Sequence, residues 1–436
     1  MRVLLLLIIM ILAVPAYAAD IPPECRAKLT DASLYKKHNM QSYEMLFVGQ
    51  DGWVFRSSSD FIADFKPDKR AIESMKSMQE AFAKRGITLV LAVPPTRGIV
   101  GSDYLPEDND FQAKEALDSY RAMVSDLQSQ GLHVVGVSDF NDGDIFFRKK
   151  DQHWHSHGAR SMAETVASYV KSLPVYSALL KETFRTETGK AYTFEGRFNK
   201  AFERFCGITL PLENDFEYLS APVDTDLFTD RPAPQIVLVG TSNSKADAFN
   251  ANFDGFLKEF LSADVLNAAQ PGLGFDEPMH AYLRSDDFAN HPPKLIVWEI
   301  PSYYVFDRSQ GDIFKTTTAT LAGPCDDHSL FETELTLGKD EIVLFEGLED
   351  KTSPSDALSI VFEFDQRIKR RFLIELTYND DELSTKGVRI EPAKRQGHDH
   401  VYFSSFGTLP YSLKSITLHP RKDMDGTTLK ASLCSL

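Results

Sequence analysis

Short apolar runs rich in β-branched residues alternate with stretches of helical periodicity through the first two-thirds of the chain, and this alternation limits the fold most. Residues 87–93 read Ile-Thr-Leu-Val-Leu-Ala-Val and stop at Pro94 and Pro95. Similar runs occupy 133–137, 236–239 and 295–298, with a shorter one at 264–266. Ahead of the first, Ile72, Met75, Met78, Ala81 and Phe82 recur at helical spacing, and 115–128 is helix-like. Runs apolar at every position, separated by amphipathic helices, predict an α/β domain whose parallel sheet is covered on both faces. After about residue 318 the helical periodicity fades. Short alternating segments follow at 341–345, 358–364, 372–376, 401–403 and 415–418, split by turn-formers. They predict an all-β sandwich.

The N-terminus adds a third part. Arg2 precedes an apolar run over 3–14, and Ala16-Tyr17-Ala18 has the A-x-A form of a cleavage site. The run suits a signal peptide better than a membrane-spanning helix, an uncleaved anchor being the alternative. The expected division is 1–18 signal peptide, 19–318 α/β domain and 319–436 β-sandwich. Export favours disulfides among Cys25, Cys206, Cys325 and Cys434. Four cysteines allow three pairings. The simplest joins Cys25 to Cys206 and Cys325 to Cys434, one bridge for each domain. With 47 Lys+Arg against 63 Asp+Glu, the formal charge of −16 argues against a whole-surface grip on nucleic acid.

Two polar clusters carry chemistry. Gly240-Thr241-Ser242-Asn243-Ser244 follows the run at 236–239. Ligands of open α/β sheets bind beyond the carboxyl ends of strands, where a small-residue turn can aim a serine hydroxyl and backbone N–H groups at an oxyanion. An ordinary Ser/Thr helix cap has the same composition. The second cluster is Asp151-Gln152-His153-Trp154-His155-Ser156-His157, followed by a helical face of Ala159, Met162, Ala163, Val166, Ala167 and Val170. Asp-x-His can set a carboxylate against an imidazole, as a serine nucleophile requires. In extended backbone, His153, His155 and His157 would instead share one side and could ligate zinc, with Asp151 beside them. A plain polar turn is the third possibility. Trp53 and Trp154 fit packing positions better than sugar platforms.

Three blocks resemble the alginate O-acetyltransferase family, the AlgX and AlgJ type of SGNH-hydrolase-like enzyme. They are Gly49-Gln50-Asp51-Gly52-Trp53-Val54-Phe55, Asp151-Gln152-His153-Trp154 and Gly240-Thr241-Ser242-x-Ser244. The strand ending Val297-Trp298-Glu299-Ile300-Pro301 has the same look. A leader, four cysteines and a β-rich tail resemble the AlgX layout more than the AlgJ layout. The resemblance implies an SGNH-like α/β domain in circularly permuted motif order, then a carbohydrate-binding module. It implies Ser242 as nucleophile, His153 as general base and Asp151 as its orienter. No Asn of the usual oxyanion block stands at Glu299-Ile300-Pro301. The Ser242 N–H, with one from the loop bearing Gly272 and Gly274, is the expected substitute.

The implied reaction moves acetyl groups onto an exported polyuronate such as alginate through an acetyl-serine, with no metal or cofactor. The expected partners are the anionic polysaccharide, an acetyl donor either small or protein-delivered, and other proteins of a modification and export complex. Rivals are an esterase with the same residues and a non-catalytic binding scaffold. An acidic protein on an acidic polymer needs local cations. If 367–371 is a strand, Arg367, Lys369 and Arg371 share a face and could pair with uronate carboxylates. Tyr378, Tyr402 and Phe403 could offer sugar-stacking faces, the alternative being a solvated edge strand.

Overall fold

The computed structural model describes residues 21–137, 146–223, 232–245, 251–325, 329–380, 384–390 and 400–436. The expected leader lies outside them. Among the described residues no helix is long and apolar enough to cross a membrane.

In chain order the first part contains a small hairpin, β1 (Leu46–Val48) and β2 (Val54–Arg56), then β3 (Thr88–Ala92) and β4 (Val134–Val135). A long hairpin follows, β5 (Phe184–Phe194) and β6 (Glu213–Pro222), and then β7 (Ile236–Val239), β8 (Val265–Asn267) and β9 (Leu295–Glu299). Strands β4-β3-β9-β7-β8 form one sheet in that order, and every pairing in it is parallel. Alternate residues of each strand serve opposite cores. Val237 and Val239 pack with the helices Lys69–Lys84, Ala113–Ser129 and Asp276–Leu283. Ile236 and Leu238 pack with the helices Ser156–Ser172 and Phe253–Leu261. Continuous apolar runs were therefore the right sign of a doubly covered sheet.

The second part holds β10 (Ser329–Thr336), β11 (Ile342–Glu346), β12 (Ala357–Phe364), β13 (Phe372–Tyr378), β14 (Thr385–Ile390), β15 (Val401–Thr408), β16 (Leu413–His419) and β17 (Thr428–Ser435). Two four-stranded antiparallel sheets, β10-β17-β12-β15 and β11-β16-β13-β14, close on one shared core. The helix Arg308–Ala322 joins the two parts, so the expected division at 318/319 falls within its last turn.

Two expectations for this part do not hold. The stretch 367–371 is a loop between β12 and β13, because Ile368 turns inward and both its N–H and C=O bond the Tyr402 hydroxyl at 3.0 Å. Arg367, Lys369 and Arg371 therefore do not form a strand face. Tyr378 and Tyr402 are buried in the sandwich core, and Phe403 is buried against the Cys325–Cys434 bridge. None of the three offers a ring to a sugar.

Cys25 pairs with Cys206 and Cys325 with Cys434. The first bridge ties the helix Pro23–Leu29 to the helix Asn199–Cys206 across a separation of 181 residues. A crosslink closing so long a loop restricts the unfolded chain, by about 2–5 kcal/mol. The double substitution Cys25→Ser with Cys206→Ser should lower the urea midpoint accordingly, and an unchanged midpoint would show the bridge to be energetically idle.

Candidate active site

Beyond the carboxyl end of β7 the chain turns at Gly240 to Ser244. Of the four N–H groups at 241–244, that of Thr241 goes to Glu299 Oε2 at 2.7 Å and that of Asn243 to Thr241 Oγ1 at 3.1 Å. The Ser244 N–H goes to the Thr241 carbonyl at 3.1 Å. Among the described residues, none accepts from the Ser242 N–H.

The partner segment is a tight strap. Phe147 and Trp154 form an antiparallel bridge, and Arg148 N–H donates to the His153 carbonyl at 3.1 Å. Buried Arg97 donates to the carbonyls of Val54 (2.7 Å), Lys149 (3.1 Å) and Arg148. From β6, the Glu213 carboxylate accepts the N–H groups of Lys149 (3.0 Å) and Lys150 (2.8 Å). The strap that carries Asp151 and His153 is thus hydrogen-bonded from both sides.

Asp151 Oδ1 accepts both the backbone N–H of His153 (3.0 Å) and its ring Nδ1–H (2.5 Å). This local turn needs one intervening residue, which is what Asp-x-His supplies. Oδ2 accepts the Arg197 N–H at 2.7 Å. Burial pushes the Asp151 carboxyl upward, but the hydrogen bonds and charge of His153 and the Arg197 N–H outweigh it and hold the value at about 2. An ionised carboxylate only accepts, so the Nδ1 of His153 carries the proton and Nε2 is free to accept. Nε2 lies 2.8 Å from Ser242 Oγ. One residue on, the Trp154 indole donates to the Asn243 carbonyl at 2.7 Å. Consecutive residues of the strap therefore grip consecutive residues of the turn. The chain of contacts Asp151–His153–Ser242 can take a proton from the serine hydroxyl and hold the resulting imidazolium.

The other two histidines go elsewhere, because the helix begins at Ser156 and breaks the extended run that would have aligned three rings. His155 caps that helix, its Nδ1 accepting the His157 N–H at 3.3 Å, and its Nε2 lies 3.1 Å from buried Asp215. Asp215 also takes Arg148 at 2.7 Å. Burial pushes His155 down, Asp215 opposes, and Arg148 and His157 add to the fall, to about 4.

Gly272 and Gly274 have φ of 75° and 80°, conformations that suit glycine. Their loop starts beside the turn at Gly240 to Ser244, since the Gln270 N–H donates to the Gly240 carbonyl at 3.2 Å. Trp53 and Trp154 are buried packing residues. In the sandwich, Lys369, Arg370, Arg421, Lys422 and Asp423 line a cleft of about 470 Å³. Only Lys369 among these was singled out in the sequence. Arg421 and Lys422 lie some fifty residues further along the chain, and no local pattern joins them to 367–371.

A parallel sheet with this constellation at its carboxyl ends, followed by a β-sandwich, defines an SGNH-hydrolase-like protein with a β-rich C-terminal part. The family model for the SGNH hydrolase-like domain of acetyltransferase AlgX matches residues 46–302, and the chain belongs to this family. AlgX of Pseudomonas syringae pv. tomato is 33% identical over 348 residues, covering 76% of this chain and 71% of that one. The probable alginate O-acetylase AlgJ of Azotobacter vinelandii is 28% identical over 294 residues, covering 61% and 71%. The fold matches the solved structure of Pseudomonas aeruginosa AlgX with a TM-score of 0.75 at 24% identity, over 96% of this chain and 100% of that one.

Acid should unfold the protein in two windows. Below the unfolded value of 6.5, unfolded chains protonate His155 while folded ones resist, so stability falls as pH drops towards about 4. Asp151 adds stability above its unfolded value of 3.8, about 2 kcal/mol, which is lost as pH falls through the folded value of about 2. Urea unfolding against pH should show His155→Asn flattening the upper window and Asp151→Asn the lower. Identical curves for wild type and both variants would refute the assignment.

Proposed function

We propose that this protein is a periplasmic O-acetyltransferase acting on an exported polyuronate, alginate being the best fit. The observation that carries the reading is the unbroken contact chain from Asp151 through His153 to Ser242, at 2.5 and 2.8 Å. Membership of the AlgX family and the disulfides, which suit an oxidising compartment, support it. In this reading, cleavage after Ala18 releases the mature chain, 19–318 is the acetyltransferase domain and 319–436 the carbohydrate-binding module.

Ser242 Oγ attacks the acetyl carbonyl of the donor as its proton passes to His153 Nε2. Asp151 stabilises the imidazolium. The tetrahedral oxyanion faces the Ser242 N–H, with Gly272 and Gly274 as the neighbouring donors. Each such donor is worth about 3–4 kcal/mol in the transition state. The donor's leaving group departs with the proton from His153, leaving acetyl-Ser242. A sugar hydroxyl then gives its proton to His153 and attacks, and the serine recovers that proton. The basic cleft lined by Lys369, Arg370, Arg421 and Lys422 holds uronate carboxylates, with the guanidinium groups able to pair bidentately. The acetyl donor is small or protein-delivered within a polysaccharide modification and export complex.

Mass spectrometry tests the transfer, using purified protein, de-acetylated polymannuronate oligosaccharide and a simple acetyl ester. Wild type should add acetyl units and Ser242→Ala none, while donor hydrolysis without sugar modification would replace transfer by esterase activity. Asp151→Asn should lower kcat by roughly 10³–10⁴-fold, because the ring then loses the carboxylate that fixes its tautomer. Replacing Lys369 and Arg421 together by Glu should weaken oligosaccharide binding in calorimetry and flatten its salt dependence, and unchanged binding would move the polymer site elsewhere.

A further inference from the structure

The nucleophile turn rests on a carboxylate that the proposed mechanism does not use. Glu299 ends β9, the strand beside β7, and is fully buried. Its Oε2 accepts the Thr241 N–H (2.7 Å), the Thr241 hydroxyl (2.9 Å) and the Ser244 hydroxyl (3.2 Å). Its Oε1 accepts the Asn243 side-chain amide at 3.2 Å. Gly240 completes the set, because a Cβ there would lie 2.7 Å from Glu299 Oε2 and 2.7 Å from Ser244 Oγ. Every fixed letter of Gly-Thr-Ser-x-Ser except Ser242 therefore faces this one side chain, either by bonding it or by leaving it room.

We infer that Glu299 is the positioning residue of the nucleophile: it holds the residues on both sides of Ser242, so that the serine hydroxyl meets His153 and the serine N–H stays unspent for the oxyanion. The logic is one of donors. Thr241 Oγ1 gives its hydrogen to Glu299 and thereby turns a lone pair to the Asn243 N–H at 3.1 Å. With the Thr241 and Asn243 N–H groups both satisfied, the Ser242 N–H is the donor left at the point where an acyl oxyanion would form. Without Glu299, Thr241 and Ser244 would seek other acceptors in a buried site and the turn would rearrange.

The inference rests on the acyl-transfer reading, and three variants test it. Glu299→Gln should keep the geometry: the amide oxygen can serve Thr241 and Ser244, while its N–H₂ meets Asn243, whose Oδ1 is buried without a partner among the described residues and can flip to accept. Glu299→Ala and Gly240→Ala should displace the turn. Burst-phase acetylation of Ser242 by an ester donor would be followed with kcat, donor KM and the pH profile, and circular dichroism would report folding. Glu299→Gln should stay within about tenfold of wild type with an unshifted pH profile, whereas the two alanine variants should lose about 10²-fold or more in kcat at unchanged KM, the scale of a small misplacement of reacting groups.

A folded Glu299→Ala or Gly240→Ala protein acetylating at the wild-type rate would overturn the inference. So would a folded Glu299→Gln as slow as the alanine variants, or one with a shifted pH profile, since charge would then be acting and not position. If Glu299→Ala does not fold, the other two variants decide. A wild type that never forms acetyl-Ser242 would remove the acyl-transfer reading itself, and with it the nucleophile to be positioned, a result distinct from wild-type turnover that the variants share.

Discussion

Two hydrogen bonds between neighbouring residue pairs hold the site together. His153 meets Ser242 and Trp154 meets Asn243, each across 89 residues of sequence. One such bond would leave the strap free to rotate about it. Two in succession fix its register on the turn, and the second is made by a buried, rigid indole packed against the Phe253 ring, 4.8 Å away and tilted by 60°. The parallel sheet makes this possible. β7 and β9 end side by side, so the turn after β7 is supported from below by Glu299 and from the side by the strap.

Buried ionisable groups surround this junction. Arg97 and Asp60, Arg148 and Asp215, and Glu299 all lie out of water. Buried ion pairs contribute little net stability, because desolvation offsets their attraction. Their use here is geometric. Arg97 spreads its donors over three carbonyls, that of Val54 in β2 and those of Arg148 and Lys149 in the strap, and its guanidinium lies 5.0 Å above the Trp53 ring. A core of apolar side chains could fill the same volume but could not set the angle at which Asp151 meets His153.

The sheet strands were legible because a run such as Ile-Val-Leu-Val has no polar face to hide, and the turn at Gly240 to Ser244 and the Asp151–His153 contact were legible because each forms within a few residues. What escaped works at a distance. The hairpin β5–β6 alternates weakly and carries exposed Phe216 and Leu219, so its eleven- and ten-residue strands left no clear period. Yet it brings Asp215 and Glu213 to the strap. Tyr402 and Tyr378 looked like sugar platforms because a β-sandwich of unknown register assigns any residue to either face, and only strand pairing sends both inward. Glu299 was noticed as the place where an oxyanion asparagine was missing, whereas its contacts are with the turn next door.

The order of the motifs, Asp and His before Ser, follows from which elements are free to reach the site. The strap precedes the helix Ser156–Ser172, which covers one face of the sheet, while the far end of the α/β part is committed to something else. Its last helix, Arg308–Ala322, buries Phe314 in the α/β core and packs Ala319 with Phe403 and the Cys325–Cys434 bridge. That helix is shared by both parts of the molecule, and the disulfide holds its end to β17. A chain end clamped in this way cannot also supply a base to the sheet's crevice. Placing Asp151 and His153 upstream leaves the C-terminal end to fix the sandwich against the α/β core.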